Sequence, residues 1–312
     1  MLEVAATVGE RNDAQSGAGR LFGSEGKFSA YRENLYLREC WADAATVLDG
    51  DRFSVLERVA LLIAKPDAVV GRRVRRILDY ARDRGFLPLA ASPLALTRHS
   101  IRELWRDDWT VYSTDRLALA SVFYTAADTL AFFLKDVEPE PRLTACARLA
   151  RLKGSAFPEL RAAEELRTVL APPNRVLNFV HVPDEPIDMV REIGVLFDEP
   201  ERQALFRRIR ARFDGGDPDE VARAVARLEA RVAPHDLDFE RSLERLLGVG
   251  LVGEAAARKL SALRRAGATL PWAEFRRLMT RPAKHPHVWD FIAVASHLIP
   301  LERDDQPGLA HA

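Results

Sequence analysis

His181 stands in the run Asn178-Phe179-Val180-His181-Val182-Pro183-Asp184, and Glu192 follows eleven residues later. Residues 176–182 are apolar enough for a buried strand and the residues after them read as a helix, which puts His181 at a strand end facing a cleft. From two to three turns into that helix, a carboxylate can reach back to one imidazole nitrogen. The other nitrogen then keeps its lone pair, so the chemistry on offer is nucleophilic transfer through histidine, with phosphate as the carried group.

A second segment supports this. Val59-Ala60-Leu61-Leu62-Ile63-Ala64 has strand length and stops at Lys65-Pro66-Asp67, where Pro66 ends the strand and Lys65 places a cation at its tip. A cation and a nucleophile at two strand ends suit an anionic substrate, because a transferring phosphoryl group spreads negative charge over its oxygens.

Together the two segments resemble the nucleoside diphosphate kinase family. That family carries Lys-Pro-Asp after its first strand and Asn-x-x-His-Gly-Ser-Asp around the histidine that becomes phosphorylated. Lys65 to Asp67 match the first signature, and Asn178, His181 and Asp184 match the second, with Val182-Pro183 in place of Gly-Ser. The resemblance spans residues 57–198. It implies a ferredoxin-like α+β fold, with helices flanking one antiparallel sheet, and a two-step transfer of the γ-phosphate of ATP. His181 would be the nucleophile, Glu192 would orient it, and Lys65 and Asn178 would bind sugar hydroxyls and phosphates. Mg²⁺ would arrive with ATP rather than in a protein cage.

Other positions carry over one by one. Gly154-Ser155-Ala156-Phe157-Pro158 looks like the family's phosphate loop, with Ala156 where a threonine contacts phosphate. Arg151, or Arg148 nearby, takes the place of one phosphate-binding arginine, and Arg167 falls one residue from the second. Trp105 replaces a tyrosine that contacts phosphate, keeping an aromatic wall but losing the hydroxyl. Tyr112 would face the base. Pro183 lacks a hydroxyl that helps hold the glutamate, a change expected to slow turnover by ~10- to ~100-fold.

The chain has 312 residues, long enough for more than one core, and 47% of them are hydrophobic. Its 46 basic and 46 acidic residues cancel, which argues against nucleic acid or an anionic membrane as the main partner. Cys40 and Cys146 have neither disulfide nor zinc spacing, no apolar stretch approaches membrane-spanning length, and the start of the chain does not read as an export signal. The expected location is cytoplasmic.

Three regions are expected. Residues 1–56 combine a mobile arm, to about residue 28, with an amphipathic helix over 31–48. Residues 57–198 form the kinase-like domain, with strands over 59–64, 87–96, 130–137 and 176–182 and helices over 71–84, 97–109, 117–126, 142–152 and from 187. Residues 199–312 form an all-helical region, broken most clearly at Asp214-Gly215-Gly216-Asp217-Pro218-Asp219. Within it, Leu247-Gly248-Val249-Gly250 is similar to a helix-hairpin-helix turn that offers amides to DNA phosphate, although a plain interhelical turn fits better. His285 and His287 bracket Pro286 without further metal ligands.

Three functions follow. The first is a phosphotransferase serving a nucleoside diphosphate or a specialised acceptor. The second is a non-catalytic nucleotide-binding module whose helical region engages a protein partner, with self-association also open. The third is duplex DNA binding through the Gly248–Gly250 turn.

Overall fold

A computed structural model describes residues 21, 31, 33–106, 108–279 and 286–302 of the chain. Apart from Leu21, the expected mobile arm lies outside these residues, as does His285. The first helix, α1 (Leu35–Leu48), is capped by Asn34, whose side chain accepts from the Leu37 amide at 3.1 Å. A short α2 (Arg52–Arg58), not anticipated from the sequence, leads into β1 (Val59–Ala64).

Four antiparallel strands make one sheet in the order β2-β3-β1-β4, where β2 is Phe86–Leu94, β3 is Thr129–Asp136 and β4 is Val180–His181. The central strand β1 pairs with β3 from Val59↔Lys135 to Ala64↔Leu130 and is buried along its whole length, which explains its unbroken apolar run. Helices flank this sheet and a helical region follows it, the α+β arrangement of a ferredoxin-like fold.

The connections are α3 (Pro66–Val70) and α4 (Val74–Arg82) after β1, α5 (Arg98–Leu104) and α6 (Thr114–Phe123) after β2, and α7 (Ala145–Lys153) and α8 (Leu166–Leu170) after β3. After β4 come α9 (Pro186–Leu196), α10 (Glu199–Arg212), α11 (Pro218–Arg231), α12 (Phe239–Gly248), α13 (Glu254–Arg265), α14 (Trp272–Leu278) and α15 (Val288–Leu298). Proline at the first turn of α9, α10 and α11 suits a position whose amide needs no partner. One contiguous set of buried side chains runs from Leu37 on α1, through the sheet, to Ile299 after α15.

The outer edge of β2 is covered rather than exposed. Pro88 and Pro93 lie in it, its register shifts between Pro88 and Ala90, and Arg208 and Arg212 from α10 reach Ser92 Oγ and the Leu89 carbonyl at 2.8 and 3.3 Å. The Asp217 amide donates to the Pro88 carbonyl at 3.1 Å. Prolines and covering groups of this kind block pairing with another chain.

Two expected elements lose about half their length or more in the structure. The strand expected over 176–182 contracts to Val180–His181. The Asn174 side chain accepts from the amides of Val176 and Leu177, both at 2.9 Å, and Phe179 takes φ = 70°, so the backbone turns before it can pair. The helix expected over 97–109 ends at Leu104, because the Trp109 indole donates to the Ile101 and Arg102 carbonyls at 3.2 and 3.0 Å. Thr97 caps it as expected, paired with Ser100.

Candidate active site

Residue types at the ends of β1 and β4 determine what meets in the cleft. Ile63 pairs with His181 across the two strands, and the Lys65 amide donates to the Phe179 carbonyl at 2.8 Å, so the cation and the histidine come from adjacent strand ends. Pro66 at the first turn of α3 turns the chain away immediately after Lys65. Glu192 comes from α9 and is buried.

His181 Nε2 lies 2.9 Å from both carboxylate oxygens of Glu192. The Trp105 indole nitrogen lies 3.4 Å from His181 Nδ1, with the two rings edge to face. A carboxylate accepts and an indole N–H only donates, so the two neighbours require the same tautomer: the proton on Nε2 and the lone pair on Nδ1. Trp105 is placed by its helix end, where Arg191 donates to the Glu103 and Leu104 carbonyls at 3.0 and 2.8 Å.

His181 opens onto a cavity of about 320 Å³. Of the residues expected at the site, Lys65, Trp105, Tyr112, Arg167, Asn178, His181 and Glu192 all line it. Lys65 Nζ donates to Asn178 Oδ1 at 2.6 Å and to the Val176 carbonyl at 2.9 Å. Burial, partly offset by Asp67, lowers its pKa to about 8. Arg167 gives two N–H groups to the carbonyls of Gly154 and Val180, at 2.8 and 3.1 Å, so it braces the loop against β4. Burial lowers its pKa to about 10.

Arg151 lies outside this cavity. It is 67% exposed, stands 3.5 Å from Glu140 and lines a neighbouring cavity instead. Arg148 is committed to the fold: its guanidinium pairs with buried Asp136 at 2.9 Å and donates to the Arg84 carbonyl at 2.8 Å.

Several wall residues were not picked out by sequence, Lys153, Arg116, Tyr124 and Arg175 among them. Lys153, at the end of α7, donates to the Val182 carbonyl at 3.1 Å and lies 3.6 Å from Asp184. Its place directly before Gly154 is the signal that could have found it. Arg116 and Tyr124 come from α6 and the residue after it, and Arg175 from the turn before β4. In a chain so rich in arginine, neither guanidinium stands out by type. Counting all lining residues, six lysines and arginines (Lys65, Arg116, Lys153, Arg167, Arg175 and Arg191) face three carboxylates (Asp184, Asp188 and Glu192), a wall suited to a polyanion.

Among the described residues no group of three or more His, Cys, Asp or Glu is placed to hold a metal ion, and His287 is turned to Asp290 at 2.8 Å. Cys40 and Cys146 are buried free thiols. No helix among the described residues is long and apolar enough to cross a membrane.

Three solved structures of nucleoside diphosphate kinases are similar to part of the chain. The enzyme from Aquifex aeolicus aligns at 22% identity over 45% of this chain and 95% of its own, with a TM-score of 0.38. The enzyme from Encephalitozoon cuniculi aligns at 16% identity over 44% and 87%, with a TM-score of 0.36. A nucleoside diphosphate kinase family protein from Babesia bovis aligns at 19% identity over 46% and 90%, with a TM-score of 0.37. No protein-family model and no curated protein matches the chain. The functional reading therefore rests on the side chains around His181.

Proposed function

We propose that the chain is a phosphotransferase of the nucleoside diphosphate kinase type, moving the γ-phosphate of ATP through His181 to a nucleoside diphosphate or a specialised acceptor. The observation that carries this reading is the Glu192 carboxylate 2.9 Å from His181 Nε2, a contact that calls for the proton on Nε2 and so leaves the Nδ1 lone pair at a cationic cavity. In the first step Nδ1 attacks the γ-phosphorus, the bond to the β,γ-bridging oxygen breaks, and ADP leaves with that electron pair. Nε2 keeps its proton, and Glu192 offsets the positive charge that phosphorylation puts on the ring. In the second step a terminal oxygen of the acceptor attacks phosphorus, the P–Nδ1 bond breaks, and the lone pair returns to nitrogen.

Lys65 and Lys153 line the cavity with His181 and would meet the phosphates, and Asn178 accepts from the Lys65 ammonium at 2.6 Å. Trp105 and Tyr112 supply aromatic walls. Mg²⁺ fits this reading only as a companion of the nucleotide phosphates, because the wall is mostly cationic and Glu192 is committed to His181. Its contribution when bound would be neutralisation of phosphate charge.

The test is incubation of the full chain with γ-labelled ATP and Mg²⁺, followed by a chase with a panel of nucleoside diphosphates. Acid-labile, base-stable label that is lost in His181→Ala is the expected result, and the chase identifies the acceptor. ATP binding without label would refute the phosphotransferase and leave a nucleotide-binding module in its place.

A further inference from the structure

The His181 cavity meets a larger cavity of about 700 Å³ along a wall that includes Tyr112, Arg116, Lys153, Arg167 and Arg175. The Arg175 carbonyl accepts from Asn178 Nδ2 at 3.0 Å, but among the described residues the guanidinium groups of Arg116 and Arg175 make no hydrogen bond to His181, Glu192 or Lys65. The Arg116 guanidinium carbon lies 3.4 Å from the Tyr112 ring centroid, and that of Arg175 lies 3.7 Å from the Phe157 ring centroid. A guanidinium seated on a ring face is held in place while its N–H groups remain free for acceptors in its own plane.

Those N–H groups are only partly used. Arg116 Nη1 and Arg175 Nε are buried with no hydrogen-bond partner among the described residues. Arg175 Nη2 has a partner, Glu302 Oε1 at 2.6 Å. Glu302 reaches it on the segment after α15, which docks beside α6: the Ser113 amide donates to the Leu301 carbonyl at 3.2 Å, Ser113 Oγ donates to the Pro300 carbonyl at 2.6 Å, and Tyr112 bridges to Glu302. Glu302 thus engages Arg175 while Arg116 Nη1 and Arg175 Nε keep donors to spare among the described residues.

Buried donors without partners are costly, and a phosphate presents more acceptor oxygens than one carboxylate, in a geometry that suits arginine forks. We propose that Arg116 and Arg175 form an oxyanion subsite for a second phosphate group of the ligand, apart from the one that meets His181, and that Glu302 occupies this subsite in its absence. The identity of the ligand rests on the phosphotransfer reading, whereas the subsite itself does not.

Calorimetric titration of the full chain with inorganic pyrophosphate tests this directly. Glu302→Gln removes the competing carboxylate at a half-exposed position and is expected to tighten binding about tenfold, whereas Arg175→Ala and Arg116→Ala each weaken it about tenfold. Unchanged or weaker binding by Glu302→Gln, binding by Arg175→Ala at wild-type strength, or no binding by either wild type or Glu302→Gln would overturn the subsite. Absence of phosphoenzyme would sink the phosphotransferase and leave the calorimetric result standing, so the two ideas fail separately.

Discussion

Glu192 and Trp105 hold opposite nitrogens of the His181 ring, the carboxylate at 2.9 Å from Nε2 and the indole at 3.4 Å from Nδ1. The first contact makes Nδ1 the basic atom and the second rests on that lone pair. Glu192→Gln keeps an acceptor but removes the charge that, in the proposed reaction, would balance a phosphorylated ring. Its rate of phosphoenzyme formation is expected to fall about 10- to 100-fold, read by quenched-flow labelling. A rate equal to wild type would remove Glu192 from the mechanism.

Trp105→Phe retains the aromatic wall and deletes the N–H on Nδ1. One long hydrogen bond is worth on the order of 1 kcal/mol, so the freed nitrogen should react severalfold faster with a small histidine-directed acylating reagent such as diethyl pyrocarbonate. The rate at His181, followed by mass spectrometry, checks this. Slower modification would mean that the indole positions the ring rather than capping it.

In the proposed function, Lys65 is expected to carry the pH dependence. Burial lowers its pKa to about 8, so the ammonium is largely present at pH 7 and largely lost at pH 9. If its charge meets phosphate, the affinity for ATP should fall about tenfold over that range, and Lys65→Arg should flatten the profile. The effect on folding has the opposite sign. Between about pH 8 and the ordinary lysine value the unfolded chain binds more protons, so this group's contribution to stability rises with pH. A pH-independent ATP affinity in the wild type would remove Lys65 from phosphate binding.

Much of this arrangement was legible in the chain. The unbroken apolar run 59–64 and the proline after Lys65 specify a buried central strand and its end, and Asn178, His181 and Glu192 sit at spacings that bring them together. Less legible was whatever depends on which way a side chain turns. Arg148 and Arg151 are similar in sequence terms, yet one is buried on Asp136 and the other projects to Glu140. The strand over 176–182 reads as continuous from its apolar composition, but Asn174 captures two of its amides and Phe179 takes a positive φ, a local competition that hydrophobic pattern does not register. Arg116 and Arg175 come from separate segments and converge only in the folded chain.

Arg148 tests the fold rather than the chemistry. It is the charge partner of Asp136, a carboxylate only 1% exposed and pushed upward in pKa by its burial. Arg148→Met leaves that group unpaired and is expected to cost about 3–5 kcal/mol in urea unfolding. The double variant Arg148→Met with Asp136→Asn should recover part of the loss. A single-variant cost under about 1 kcal/mol would show that water reaches Asp136.

His297 sets an acid limit on the helical region. Its ring lies edge to face with Phe239, 5.6 Å between centroids, and burial, together with the nearby Arg264, lowers its pKa to about 4, with Asp238 acting in the other direction. Between about pH 4 and the ordinary histidine value the unfolded chain binds the proton that the folded chain refuses. Stability therefore falls as pH drops through this window, by about 1–2 kcal/mol at pH 5 from this residue alone. Urea unfolding of the wild type and His297→Gln at pH 7 and pH 5 isolates the term: the variant should lose less on acidification, whatever its stability at pH 7. An equal loss in both proteins would assign the acid sensitivity to other groups.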